Sequence, residues 1–250
     1  MSGLLGAVQF LTRIPIRTSQ AVPHERVVPW FGVVGALIGA LVGGVAVGLG
    51  ELVPAGVAAA CAVIVGLLVT GAFHEDGLAD IADAFGGGHD VERRLEILED
   101  PRHGTYGVAA LASSIVLRVV AAASIASASA VFVAFVAAHS IGRLAAVAAM
   151  KAAPPARESG LGASAGRALR PAPTLLGAGA TLAIVTVLAG WWVLPFVVAG
   201  AVAVAAVVTL AVCKIGGVAG DVLGAVEQVT ECFVLVVASG LAARHAIWWA

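Results

Sequence analysis

Apolar positions in this chain gather into long unbroken runs instead of alternating with polar ones. A helix needs about 20 mostly apolar residues to cross the hydrocarbon core of a bilayer. Seven runs come close to that length: 31–52, 54–73, 107–127, 130–150, 175–193, 196–213 and 232–249. The pattern predicts an all-α fold, a polytopic membrane helical bundle of about seven transmembrane helices. No soluble module, internal repeat or low-complexity tail interrupts it, so residues 1–250 read as one integral membrane domain. A shorter stretch, 4–16, is broken by Arg13 and Pro15 and is expected to lie along the interface as an amphipathic element, not to act as a signal peptide.

The links between runs alternate in character. Those near Val53, Ser129 and Leu194 are short and carry no Lys or Arg. The others, 1–30, 74–106, 151–174 and 214–231, are long and hold 11 of the 14 basic residues. The excess of Lys and Arg places that side in the cytoplasm. The expected location is therefore the cytoplasmic membrane of a prokaryote, multi-pass, with loops 74–106, 151–174 and 214–231 facing inward. Arg118, Arg143 and Arg244 fall inside the runs. Arg244 can snorkel from a helix end. Arg118 and Arg143 must face the bundle interior or a wet cleft, where structural pairing competes with function.

Composition narrows the function classes. The chain is 60% hydrophobic and 12% charged, about half the charged fraction of a soluble domain. Its net charge of −1 provides no basic field for nucleic acid. Three cysteines in apolar surroundings, Cys61, Cys213 and Cys232, suit neither a disulfide framework nor a zinc site. Small residues dominate the apolar set and permit close helix–helix approach in lipid. Oligomeric state stays open at this level, a homo-oligomer included.

Segment 74–106 concentrates the chemistry. It holds nine acids against three arginines, in a protein whose total charge is −1. Asp76, Asp80 and Asp83 are spaced i, i+4, i+7, which puts them within roughly 60° of one helical face. Most acidic runs are simply solvated. Here Leu78, Ile81, Ala82 and Ala84 surround the acids at a membrane edge, and three unpaired carboxylates repel unless a cation sits between them. Hard oxygen ligands select Mg²⁺ or Mn²⁺, and Mg²⁺ commonly bridges to substrate phosphates. His74 lies about 160° from Asp76 around a helix continuing straight from the second run, and need not share the site.

A second motif opens the third run: Asp100-Pro101-Arg102-His103-Gly104-Thr105-Tyr106-Gly107. Free N–H groups at the helix start, around Gly104, Thr105 and Gly107, make an anion site, to which Arg102 adds a charge-assisted donor. Two more glycine-rich elements share this side, 157–162 and 216–224. Asp221 in the latter suits a fourth metal ligand, a hydroxyl-binding group or a turn residue. Val91, Leu95 and Leu98 at i, i+4, i+7 predict a short amphipathic helix on the membrane surface.

Together these segments resemble the cobalamin synthase family, the adenosylcobinamide-GDP ribazoletransferases. Phe10-Leu11-Thr12-Arg13-Ile14-Pro15 looks like the family's N-terminal motif, and residues 73–83 look like its F-H-x-D-G-L-A-D-x-x-D signature. Residues 100–107 are similar to D-x-R-x-G-x-x-G, with Pro101 in place of a small polar residue, and 216–221 to G-G-x-x-G-D. The resemblance implies an Mg²⁺-dependent membrane enzyme that joins α-ribazole or its 5′-phosphate to adenosylcobinamide-GDP and releases GMP. Asp76, Asp80 and Asp83 would be the catalytic and metal-holding acids. Arg13, His74, Arg102, Gly104, Thr105, Gly107, Arg143 and Asp221 would bind substrate.

Two other classes fit parts of the pattern. Asp76-x-x-x-Asp80 also suits CDP-alcohol phosphotransferases and aspartate-rich prenyltransferases, which likewise use Mg²⁺ and a diphosphate. A transporter fits less well, because the charged groups cluster at one edge and no inverted repeat of broken helices is evident.

Overall fold

A computed structural model describes residues 2–16, 22–157, 166–167 and 169–249. Among these residues every regular element is a helix, beside one isolated β-bridge between Pro155 and Val218. Two peripheral pieces come first: α1 (Ser2–Leu11), then α2 (His24–Val27), which runs through a 3-10 turn into α3 (Phe31–Gly50). The bundle continues with α4 (Ala55–Thr70), α5 (Phe73–Gly87), α6 (Val91–Ile97), α7 (Thr105–Ala123) and α8 (Ala128–Ala152). It ends with α9 (Pro171–Ala189), α10 (Val193–Ile215) and α11 (Gly220–Ala242).

Five helical runs are long and apolar enough to cross a bilayer, and α4 with α5 makes a sixth, broken one. One of the five, Pro171–Ile215, has 45 residues. A straight helix of that length would measure about 68 Å, over twice the hydrocarbon thickness. Gly190, at φ +59° and ψ −134°, breaks it into α9 and α10. Both outer ends of the pair return to one face: Arg170 pairs with Glu25 at 2.9 Å, and the Lys214 carbonyl accepts from Arg94 at 3.0 Å. At the opposite end the indoles of Trp248 and Trp249 donate to the carbonyls of Val187 and Leu188. Indoles favour this level of a membrane protein, where lipid gives way to water. Seven long helices thus match the seven apolar runs. Leucines and valines such as Leu68, Val116, Val187, Leu194 and Val198 are exposed along their outer faces, where lipid is the solvent.

The central pair is α3 against α8. Gly35, Gly39 and Gly43 fall one per turn on α3, and a Cβ at Gly39 would stand 2.5 Å from the Phe135 carbonyl oxygen. Only glycine lets the two backbones come so close, and lipid offers no alternative drive for packing them.

Two elements differ from the sequence-based expectation. The second run does not continue straight into the acidic motif. The chain turns by 92° between α4 and α5, through Gly71 and Ala72, both left-handed (φ +68° and +56°). The Gly71 N–H closes α4 by donating to the Leu67 carbonyl, and Arg13 lies across the bend, its N–H donating to the Val69 carbonyl at 2.7 Å. Helix α5 therefore runs transversely at the loop face. Second, the last span begins at Gly220, not residue 232, so the expected loop 214–231 shrinks to a short turn around Gly216. Glu227, Gln228 and Glu231 made residues 220–231 look solvated, yet all three side chains are buried in the bundle. The glycine-rich stretch 158–162 lies outside the described residues.

Candidate active site

The transverse helix α5 places its acids. Glu75 and Asp76 lie in its first turn, where the helix dipole favours negative charge. The face bearing Asp76, Asp80 and Asp83 rests against residues 103–107, so the two sequence motifs dock on each other. His103 stands between the first two acids, with its Nε2 3.4 Å from Asp76 and its Nδ1 3.5 Å from Asp80. One ligand atom from each of the three lies within 4.8 Å of the others. Asp83, farther along the face, meets the start of α7 instead. Its two carboxylate oxygens accept from the Gly104 N–H at 2.6 Å and the Gly107 N–H at 2.9 Å.

That contact corrects the reading of residues 104–107 as a free anion site. Asp83 supplies the anion from within the chain and caps α7. It also explains the glycines: a Cβ on Gly104 would stand 2.7 Å from Asp83 Oδ1, and one on Gly107 would overlap the same carboxylate. Asp83 is buried and apart from the Asp76–Asp80–His103 group. Thr105 opens α7 behind this cap.

Helix α11 closes the other side. A Cβ on Gly77 would approach the Asp221 carbonyl oxygen to 2.8 Å, and one on Gly224 would approach the His74 carbonyl oxygen to 3.0 Å. Glycine on both helices presses the Asp221 turn onto α5. Asp76 and Asp221 then line one cleft of about 760 Å³, its open mouth included. Its walls also carry Phe10, His24, Phe31, Phe73, His74 and Arg143. Burial, then the charges of Asp76 and Asp221, push the Asp80 carboxyl up to about 6, against a smaller opposing effect of His103.

Beneath the cleft lies a buried charge network. Arg143 donates to Glu227, Glu231 and the His139 carbonyl at 2.5, 2.9 and 3.0 Å. Arg118 bridges Glu231 at 3.0 Å and Glu75 at 3.1 Å. His139 contacts Glu231, and His74 approaches Glu227 at 3.6 Å. Both buried arginines are thus paired inside the bundle, and through Glu75 and His74 the network holds the first turn of α5.

The remaining expected site residues stand apart from the acids. Arg102 is exposed and forks onto Asp100 at 2.9 and 2.7 Å. Arg13 sits over the α4–α5 bend. Sequence reasoning passed over His103, Glu75, Glu227 and Glu231. A signal for His103 existed, since it sits inside the second motif; the glutamates gave none, being hidden in a misread loop or beside stronger candidates.

Comparison with known proteins bears on this geometry. A family model described as cobalamin-5-phosphate synthase matches residues 3–239. The chain belongs to this family. Curated relatives of the cobalamin-5-phosphate synthase family cover nearly the whole chain. A Bradyrhizobium diazoefficiens protein is 40% identical over 239 residues, covering 93% of this chain and 91% of its own. A Chlorobium phaeovibrioides protein is 36% identical, covering 95% and 97%. A Sinorhizobium protein is 41% identical, covering 92% of each. All three are named adenosylcobinamide-GDP ribazoletransferase. No solved structure matches the chain.

Proposed function

We propose that this protein is an Mg²⁺-dependent ribazoletransferase of the cytoplasmic membrane, joining α-ribazole or its 5′-phosphate to adenosylcobinamide-GDP with release of GMP. The observation that carries the reading is the Asp76–Asp80–His103 group, whose Asp76 also lines the cleft, in a chain whose relatives bear that name.

The donor set suits the metal. Asp76 and Asp80 offer hard oxygens, and Asp76 is exposed enough to leave coordination positions for water and for a diphosphate. His103 offers a ring nitrogen beside the two acids, one ligand atom of each of the three lying within 4.8 Å of the others. Asp76 and Asp80 would hold Mg²⁺, with Asp221 adding negative charge from α11. Bound there, the ion would offset the charge that develops on the diphosphate and on departing GMP. A ribose hydroxyl of ribazole attacks the phosphorus nearer the cobinamide. The new P–O bond forms as the diphosphate P–O bond breaks, and GMP leaves with its electron pair. Asp76 and Asp221 are the carboxylates on the cleft wall, so the hydroxyl proton passes to one of them. Arg102, next to His103 in sequence and exposed, exchanges Asp100 for a substrate phosphate, its planar fork suiting two oxygens together.

The test is purified protein with adenosylcobinamide-GDP, α-ribazole and Mg²⁺. Ribazole-dependent release of GMP is expected. Release of inorganic diphosphate from a prenyl diphosphate, or of CMP from a CDP-alcohol, with no GMP formed, would assign the site to the rival transferases.

A further inference from the structure

The cleft beside the acids is built of two different materials. Its rim is charged, with Asp76 and Asp221. Its interior is largely apolar and aromatic, with the buried His74 and Arg143 also on the wall. Phe10 stacks on Phe31 with centroids 5.4 Å apart and planes 14° from parallel, and Phe73 meets Phe10 edge-on at 5.7 Å. Met150, Leu223 and Ala146 add to the apolar part of the wall. Phe73 is 43% exposed and His24 half-buried, so aromatic surface extends toward the mouth. The signature phenylalanine of α5 and the phenylalanine of the N-terminal motif thus meet across one space.

We infer that this aromatic cleft is the base-binding subsite for the acceptor, holding a flat, apolar aromatic base with its ribose turned outward to Asp76 and Asp221. The inference rests on the ribazoletransferase reading and names which substrate this space takes. Three chemical candidates can be told apart by what lines it. A guanine base carries donors and acceptors along its edge and needs amide or carboxylate partners deep in the pocket. Beside phenylalanine, methionine, leucine and alanine the wall carries the buried His74 and Arg143, which Glu227 and Glu231 engage; its only carboxylates are Asp76 and Asp221, which the reaction uses, so the N1–H and amino donors of guanine would go unpaired. A corrin ring carries amides all round its periphery, and the phenylalanine, methionine and leucine of this wall would leave them unpaired. A benzimidazole has no exocyclic polar group, is flat, and stacks on phenylalanine. Its ribosyl unit, attached at one edge, then reaches the charged rim, where phosphoryl transfer needs its hydroxyl. The guanosine diphosphate part of the other substrate approaches the same acids from the side of His103 and Arg102, so the two substrates meet at the carboxylates from opposite directions.

The experiment compares the KM of each substrate in Phe10→Leu and Phe73→Leu, with folding checked by thermal midpoint. Leucine keeps an apolar wall and removes the ring. Base–aromatic stacking is worth about 1–3 kcal/mol, or about five- to 150-fold. The expected result is a rise of fivefold or more in the KM for α-ribazole, with the KM for adenosylcobinamide-GDP within twofold. A second measurement uses the unaltered protein: the free base, 5,6-dimethylbenzimidazole, should inhibit competitively against α-ribazole and not against adenosylcobinamide-GDP, while guanosine should fail to compete with α-ribazole. A ribazole KM within twofold of wild type in both variants would overturn the subsite. So would an equal rise for both substrates, or competition of the free base against adenosylcobinamide-GDP. Failure of the unaltered protein to release GMP would instead bring down the ribazoletransferase reading itself.

Discussion

At the scale of single residues, the three signature aspartates separate by what they touch. Asp76 and Asp80 face His103 and the open rim, whereas Asp83 has both oxygens on backbone N–H groups of α7. Asp76→Asn and Asp80→Asn should each lower kcat by about 10²–10³, the usual cost of removing one charge-stabilising group. Asp83→Ala should act first on stability, through a lost cap worth about 0.5–2 kcal/mol, read as a lower thermal midpoint in detergent. Equal metal-affinity losses in all three variants would erase the distinction. A pH dependence follows from Asp80, whose carboxyl is pushed up to about 6 by burial and by Asp76 and Asp221. A raised carboxylate holds its proton in the folded state, so its ionisation between about 4 and 6 destabilises the metal-free fold as pH rises. Cation binding has the opposite dependence, because proton and metal compete for the same oxygens. Mn²⁺ binding followed by electron paramagnetic resonance should weaken about tenfold per pH unit below 6. The slope should flatten in Asp80→Asn; an unchanged slope would remove Asp80 from the ligand set.

At the scale of elements, the transverse setting of α5 is what turns a run of acids into a site. Two devices hold it. The Gly71–Ala72 bend swings the helix by 92°, and Arg118 ties Glu75 of α5 to Glu231 of α11. Gly71→Ala should cost about 1–2 kcal/mol, since an L-residue resists φ +68°. It should also reduce turnover by tilting the acids away from His103. Arg118→Ala leaves the buried Glu75 without its cation and takes from Glu231 one of its two arginines, and should cost about 3–5 kcal/mol in a detergent unfolding series. Adding Glu75→Gln should recover part of that loss; purely additive effects would argue against the bridge. The i, i+4, i+7 spacing made the acid face legible in sequence, because helical periodicity is a local property. The bend was not legible, since Gly71-Ala72 inside an apolar run looks like more span. Nor was the start of α11, because Glu227 and Glu231 read as loop until Arg143 and Arg118, some 84 to 113 positions away, are seen to pair with them. Pairing across the bundle is a tertiary fact that no window of sequence contains.

At the scale of the whole molecule, the bundle has one charged face, and the orientation of that face decides which compartment supplies the substrates. Cross-contacts gather the long links together. Arg157 donates to the Leu95 carbonyl and to Glu99, Arg94 to the Lys214 carbonyl, and Arg170 to Glu25. The short turns near residues 51–54, 124–127 and 190–192 lie at the far end, beside Trp248. Eleven basic residues on the linked side against none in the three short turns favour the proposed orientation, with the linked side inward, by the positive-inside rule. Adenosylcobinamide-GDP and Mg²⁺ would then reach the acids from the cytoplasm. Single cysteines placed in a background without Cys61, Cys213 and Cys232 test this. His89→Cys and Ala126→Cys are suitable, both native side chains being exposed at opposite ends of the bundle. Gly88 is a poor site despite its place in the same link, because a side chain there would stand 2.8 Å from the Ala84 carbonyl oxygen. A membrane-impermeant maleimide applied to intact cells should label Cys at 126 and spare Cys at 89 until the membrane is opened. Labelling of position 89 from outside, with 126 protected, would reverse the bundle and place the acidic cleft on the outer side, away from the cytoplasmic nucleotide pool that the proposed reaction requires.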